Sequence, residues 1–193
     1  MDNLHRALAP ISDAAWAQIE DEAKRTLTRY LGARRIVDLH GPEGPGLSAV
    51  GTGHLRSAPA LAEGVRCARR EVNPLVELRV PFDLSRAAID DVARGSNDSD
   101  WQPLKDAACL IALAEDRLVF HGYAETGVKG LLSASSNPTI ALPESVADYP
   151  EAVARAVTAL RLAGVNGPYA LVLGTEPFTR ATGGDDDGYP VLK

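Results

Sequence analysis

Between the run Gly41-Pro-Glu-Gly-Pro-Gly46 and Pro74 lies a stretch that a small compact fold has little use for. Residues 47–73 are weakly apolar and rich in glycine and alanine. They sustain neither the 3.6-residue period of a helix nor a long alternation. A short strand is predicted at Leu47–Val50 and a short helix around 60–70. Such a segment buries little by itself, and an isolated two-stranded arm is marginal in water. It therefore packs on the body of the chain or is ordered by another chain.

The rest of the chain has clearer punctuation. Ser12 or Asp13 caps a helix reaching about Leu31, with Trp16, Ile19, Ala23, Leu27, Tyr30 and Leu31 at helical spacing and Gly32 as a stop. Ile36, Val37 and Leu39 suggest a short strand before the proline–glycine run. Leu75–Val80 alternates through Val76, Leu78 and Val80 as a strand does. Ser85 caps a short helix with Ala88, Ile89 and Val92 inward, ended by Gly95. Pro103 suits the first turn of a long helix whose stripe runs through Leu104, Ala107, Ala108, Ile111, Ala114 and Leu118 to about Phe120. Gly127, Gly130 and the run 133–136 mark a flexible crossing, with a subdomain boundary near 130–140. Asp148 and Pro150 open a helix with Val153, Val157 and Leu160 inward, closed by Gly164. Tyr169–Leu173 is predicted as a buried strand, Pro177–Ala181 as the start of another helix, and Gly183–Gly188 as a loop.

Composition narrows the class of partner. With 45% hydrophobic and 24% charged residues among 193, most of the chain is not a disordered one. The net charge is −6, and residues 81–193 hold 9 Lys/Arg against 16 Asp/Glu. An acidic chain with no basic stripe is a poor nucleic-acid binder. The cluster Arg66, Arg69, Arg70, balanced by Glu63 and Glu71, reads as a solvated helix face or an interface. No apolar run is long enough to span a bilayer, and Met1–Pro10 has no secretory apolar core. Two cysteines, Cys67 and Cys109, make neither a disulfide scaffold nor a zinc site and fit a reducing cytosol.

The sequence carries no recognisable catalytic constellation. His5, His40, His54 and His121 are scattered, without metal-ligand spacing. Gly51-Thr-Gly53-His54 lacks the third glycine of a dinucleotide loop. Gly122–Lys129 has the glycine separation of a phosphate loop, but Val128 displaces the lysine by one place and the segment follows a helix. Asp185-Asp-Asp-Gly188 lacks the distal glutamate of a calcium loop and reads as a solvated acidic turn. No metal and no catalytic residue is assigned, which favours a binding or structural role.

Several stretches together resemble the encapsulin shell proteins, the nanocompartment family once labelled linocin-type bacteriocins. They are Leu4–Trp16, Arg34-Arg-Ile-Val-Asp38-Leu-His-Gly-Pro42, Glu77-Leu-Arg79, Phe120–Leu132 and Gly167-Pro-Tyr169, in order along the chain. The resemblance implies an α+β architecture, the tailed-phage (HK97-like) capsid fold, with a peripheral domain, an extended arm called the E-loop, and an axial domain. Residues 1–46 would be the N-terminal helix and the start of the peripheral domain. Residues 47–73 would be the arm, 74–130 the peripheral domain with its spine helix, and 131–193 a partial axial domain. The arm would then add strands to a neighbouring subunit. Relative to the family pattern roughly the last quarter is missing, so the resemblance implies an incomplete sheet: a fragment or a shortened product.

The resemblance further implies a cytoplasmic, non-enzymatic homo-oligomer that closes into an icosahedral cage. It would enclose cargo, a dye-decolorising peroxidase or a ferritin-like protein, through a C-terminal peptide on that cargo. By position, Leu31, Arg34 and Asp38 would meet the peptide: Leu31 as an apolar seat, Arg34 and Asp38 as polar contacts. The alternative is that Arg34 and Asp38 simply pair with each other. Gly164-Val165-Asn166-Gly167 resembles the loop that lines a pore at a symmetry axis. Some members bind flavin with a tryptophan where this chain has about Ala87, so no cofactor is implied. A prophage major capsid protein packaging DNA is the second reading.

Overall fold

The computed structural model describes residues 5–183 in full, together with the backbone of 185–186 and 189–190. The chain divides into two compact units, Met1–Ala134 and Ser135–Lys193, and among the described residues helices are mixed with three two-stranded antiparallel sheets.

Helix α1 spans Asp13–Tyr30. Ser12 is extended, and its hydroxyl accepts the Ala15 N–H at 3.3 Å, satisfying one of the otherwise unpaired amides of the first turn. Ser85 repeats the device for α2, Arg86–Ala93, accepting from the Ala88 N–H at 3.1 Å. Helix α3, Gln102–His121, carries its proline in the first turn, where the missing amide hydrogen costs nothing. Ala15 and Ile19 of α1, Ala88 and Val92 of α2, and Trp101 and Leu104 form the core of the first unit. The Trp101 indole N–H donates to Gln18 Oε1 at 3.4 Å, and the Gln18 amide donates to the Ser96 carbonyl at 3.0 Å. These bonds tie the loop between α2 and α3 onto α1.

Helices α1, α2 and α3 fall where the sequence places them, and their buried faces are turned slightly. On α1 the buried residues are Ala15, Ile19, Glu22 and Thr26, while Trp16, Ala23 and Leu27 are half-buried and Tyr30 is exposed. On α3, Ala112 is fully buried and Ala114 is exposed. Small residues let the two axes approach, so the larger apolar side chains flank the contact. Buried Glu22 is compensated by Thr26, whose hydroxyl donates to Oε1 at 3.1 Å, and by Arg25.

The segment 47–73 forms a hairpin, β1 at Ala49–Ala58 and β2 at Cys67–Pro74. The expected helix around 60–70 is absent, because Cys67–Arg70 pair with Leu55–Ala58. Between the pairs Gly51↔Val72 and Leu55↔Arg70, β1 spends Thr52, Gly53 and His54 against Glu71 alone, a bulge at which Gly53 has φ +79°. After α3 the chain turns through β3, Gly122–Tyr123, and β4, Val128–Lys129, into the short α4, Leu131–Ala134.

In the second unit, α5 spans Tyr149–Leu162 and α6 spans Thr175–Gly183, with Tyr149, Ala152 and Ala181 buried. The expected loop at Gly183–Gly188 instead contains β5, Asp185–Asp186, paired with β6, Tyr189–Pro190. The side chains of the acidic turn lie outside the described residues.

Three expected strands do not form. Ile36–Leu39, Leu75–Val80 and Tyr169–Leu173 carry no ladder, and Leu171 and Val172 are exposed rather than buried. Each has strand-like composition. A strand is completed by a hydrogen-bonded neighbour, however, and among the described residues these segments find one only at Leu75, whose N–H donates to the Ser48 carbonyl at 3.0 Å.

Candidate functional site

A groove of about 860 Å³ runs along α1, bordered by α3. Ala23, Leu27 and Leu31 succeed one another along α1 at i, i+4 and i+8, so one helical face supplies an apolar wall. Ile111 of α3 adds to that wall. Glu20, Asp21 and Lys24 charge the α1 rim, and Arg34, Arg35 and Glu115 close the end where the chain leaves α1.

That end is clamped to α3. Residues Ala33–Arg35 make one 3-10 turn. Asp116 accepts the N–H of Gly32 at 3.0 Å and of Ala33 at 2.9 Å, one carboxylate oxygen each. Its neighbour Glu115 takes Arg34 in a two-point grip, Nε at 2.5 Å and Nη2 at 2.8 Å. Hydrogen bonding to Glu115, with its charge, raises the Arg34 pKa above the ordinary guanidinium value and outweighs the opposing effect of burial. Fork-to-fork pairing of this kind fixes orientation as well as position.

Leu31 and Arg34, both singled out from the sequence, line the groove. Leu31 is 8% exposed, so it forms floor more than an open seat. Asp38 is exposed and lies outside the lining. The alternative Arg34–Asp38 pair is not what forms: Arg34 is held by Glu115. Sequence reasoning missed Glu115 and Asp116. Their only signal is two consecutive acids beside the apolar stripe of α3, and nothing in spacing links them to residues some eighty positions earlier.

The loop Gly164–Gly167 follows α5. Gly164 has φ +81°, a conformation suited to a residue without a Cβ, and the Val165 N–H donates back to the Leu160 carbonyl at 2.9 Å. The Tyr169 hydroxyl donates to the Val165 carbonyl at 2.7 Å. All four loop residues are exposed. The glycine-rich segment 122–130 is a tight corner, with Gly122 and Gly130 backbone to backbone. Among the described residues no group of three or more His, Cys, Asp or Glu is placed to hold a metal, and no helix is long and apolar enough to cross a membrane.

The linocin M18 family model, described as encapsulating protein for peroxidase, matches residues 1–193. This chain belongs to the encapsulin shell protein family. A type 1 encapsulin shell protein of Rhodococcus erythropolis is 54% identical over 191 residues, covering 99% of this chain and 72% of the relative. That of Mycobacterium tuberculosis is 49% identical over the same coverage. That of Myxococcus xanthus is 27% identical over 190 residues, 93% of this chain and 66% of the relative. The similarity runs through α1, the hairpin and α3 alike, so it extends well beyond any one motif. The relatives named here are shell proteins.

Proposed function

We propose that this chain is the building block of an encapsulin shell in a bacterial cytoplasm, closing with copies of itself into an icosahedral cage around a cargo enzyme and catalysing nothing itself. The supporting observation is surface. Large apolar side chains stand exposed, including Leu61 of the hairpin and Leu110 and Leu113 of α3. Leu110 and Leu113 border one concavity with Val76, Leu78 and Leu118. An exposed apolar patch of this kind marks an interaction site. In this reading the architecture is that of tailed-phage capsid proteins. Residues 47–73 are the arm lent to a neighbour, α3 is the spine, and the unit from Ser135 is axial, its Gly164–Gly167 loop at a pore.

The groove beside α1 takes the cargo's C-terminal peptide. Its apolar wall and charged rim suit a short peptide with apolar anchors. The family description makes a peroxidase the first cargo to try, with a ferritin-like protein second. Leu31 supports the floor, Arg34 holds the end wall through Glu115, and Asp38 serves the peptide only from outside the groove.

The test is negative-stain microscopy and sedimentation of the purified chain, alone and coexpressed with a peroxidase bearing its native C-terminus. Closed particles with the peroxidase inside support the reading. A dispersed monomer, or particles filled with DNA as a phage capsid would be, sinks it.

A further inference from the structure

The hairpin carries an electrostatic problem that the chain does not solve. In the β1–β2 register Arg56 stands directly opposite Arg69, with Arg70 next along β2 and Arg66 just before it. Like charges facing each other across an antiparallel pair are destabilising. Arg56 is relieved by Glu71 at 3.4 Å. Arg66, Arg69 and Arg70 are all exposed and make no ion pair among the described residues. The two-stranded ribbon has little apolar cover to offset this, since Leu55 and Val72 are themselves exposed.

The remainder of the chain has the opposite character. Residues 47–74 hold four arginines and two glutamates, so the other residues carry −8 of the net −6. Several of their carboxylates, such as Asp98, Asp100 and Asp106, are engaged by serine and glutamine groups rather than by cations.

Resting on the shell reading, we propose that Arg66, Arg69 and Arg70 form a charged docking face that seats on carboxylates of a second copy of this chain. The partner follows from charge complementarity: a positive ribbon on an otherwise acidic molecule finds its counter-charge on its own kind. In a symmetric assembly every copy gives one such ribbon and receives one. Charge pairing of this kind steers encounter and fixes register. The arginines decide where the arm lands.

Sedimentation velocity of the wild-type chain and of the triple variant Arg66→Glu/Arg69→Glu/Arg70→Glu decides the matter. It is run from about 0.1 M to about 1 M NaCl, where the screening length falls from ~10 to ~3 Å. The wild type is expected to associate at low salt and to lose most of its fast-sedimenting fraction at high salt. The triple variant is expected to stay slow throughout, with circular dichroism unchanged because the three side chains are exposed. A triple Gln variant should fall between them. If wild type and triple variant assemble alike at every salt concentration, this inference fails and the shell reading stands. If the wild type is monomeric throughout, both fail. If a random-sequence DNA duplex binds the wild type and not the triple variant while self-association is unchanged, the face belongs to nucleic acid and the inference fails.

Discussion

Gly122 and Gly130 meet so closely at the end of α3 that a Cβ on either would overlap the other's amide nitrogen. The overlap is with backbone, which cannot swing aside as a long side chain can. Gly122 also sits at φ +74°. Gly122→Ala and Gly130→Ala should therefore each destabilise the chain by about 2 kcal/mol or more, from overpacking and, at Gly122, strain. Urea unfolding checks this. Gly127→Ala is the control for strain alone, since nothing lies within 4 Å of its would-be Cβ.

Asp116 organises the exit from α1 by accepting two consecutive amides. Asp116→Ala should cost about 1–2 kcal/mol, because the Ala33 bond is partly buried. Asp116→Asn keeps one acceptor oxygen and should lose about half as much. The comparison separates acceptance from charge.

The Arg34–Glu115 pair is partly exposed, so its worth to stability is about 1 kcal/mol or less. Its pKa is raised in the fold. The contribution is then complete below the ordinary guanidinium value and fades only as pH climbs through the still higher folded value. Arg34→Gln should thus shift the unfolding midpoint equally at pH 7 and pH 9. Cargo-peptide affinity, measured by fluorescence anisotropy, should fall further than stability does, since the end wall loosens.

Leu31 and Leu27 separate folding from docking. Leu31→Ala empties a buried position and should cost about 2–4 kcal/mol. Leu27 is only half-buried on the groove wall. Leu27→Asp should leave the fold cooperative while reducing peptide binding at least about tenfold, the equivalent of ~1.4 kcal/mol.

The two serine caps were legible because capping is a local affair: Ser12 and Ser85 each need only an amide three residues on. The helices followed for the same reason. The turn of the buried face on α1 was less visible, since buried Glu22 and Thr26 satisfy each other by a hydrogen bond, which a hydrophobic period does not register. Strands fared worst. Leu75–Val80 has the better strand composition yet is paired only at Leu75, whereas Cys67-Ala-Arg-Arg70 is fully paired, because a partner is present there, which no single segment encodes. On the groove, Leu31 and Arg34 were reachable from the resemblance. Glu115 and Asp116 were not, because a contact between an exit turn and a distant helix leaves no periodic trace.

The bulge at Thr52–His54 has a consequence for growth. Thr52 gives its hydroxyl to the Glu71 carbonyl at 3.1 Å and accepts the His54 N–H at 3.3 Å, so the irregularity is stitched shut. An unbroken ribbon edge invites strand after strand and ends in a fibre. A kinked edge offers too short a straight run for strand upon strand to stack without end.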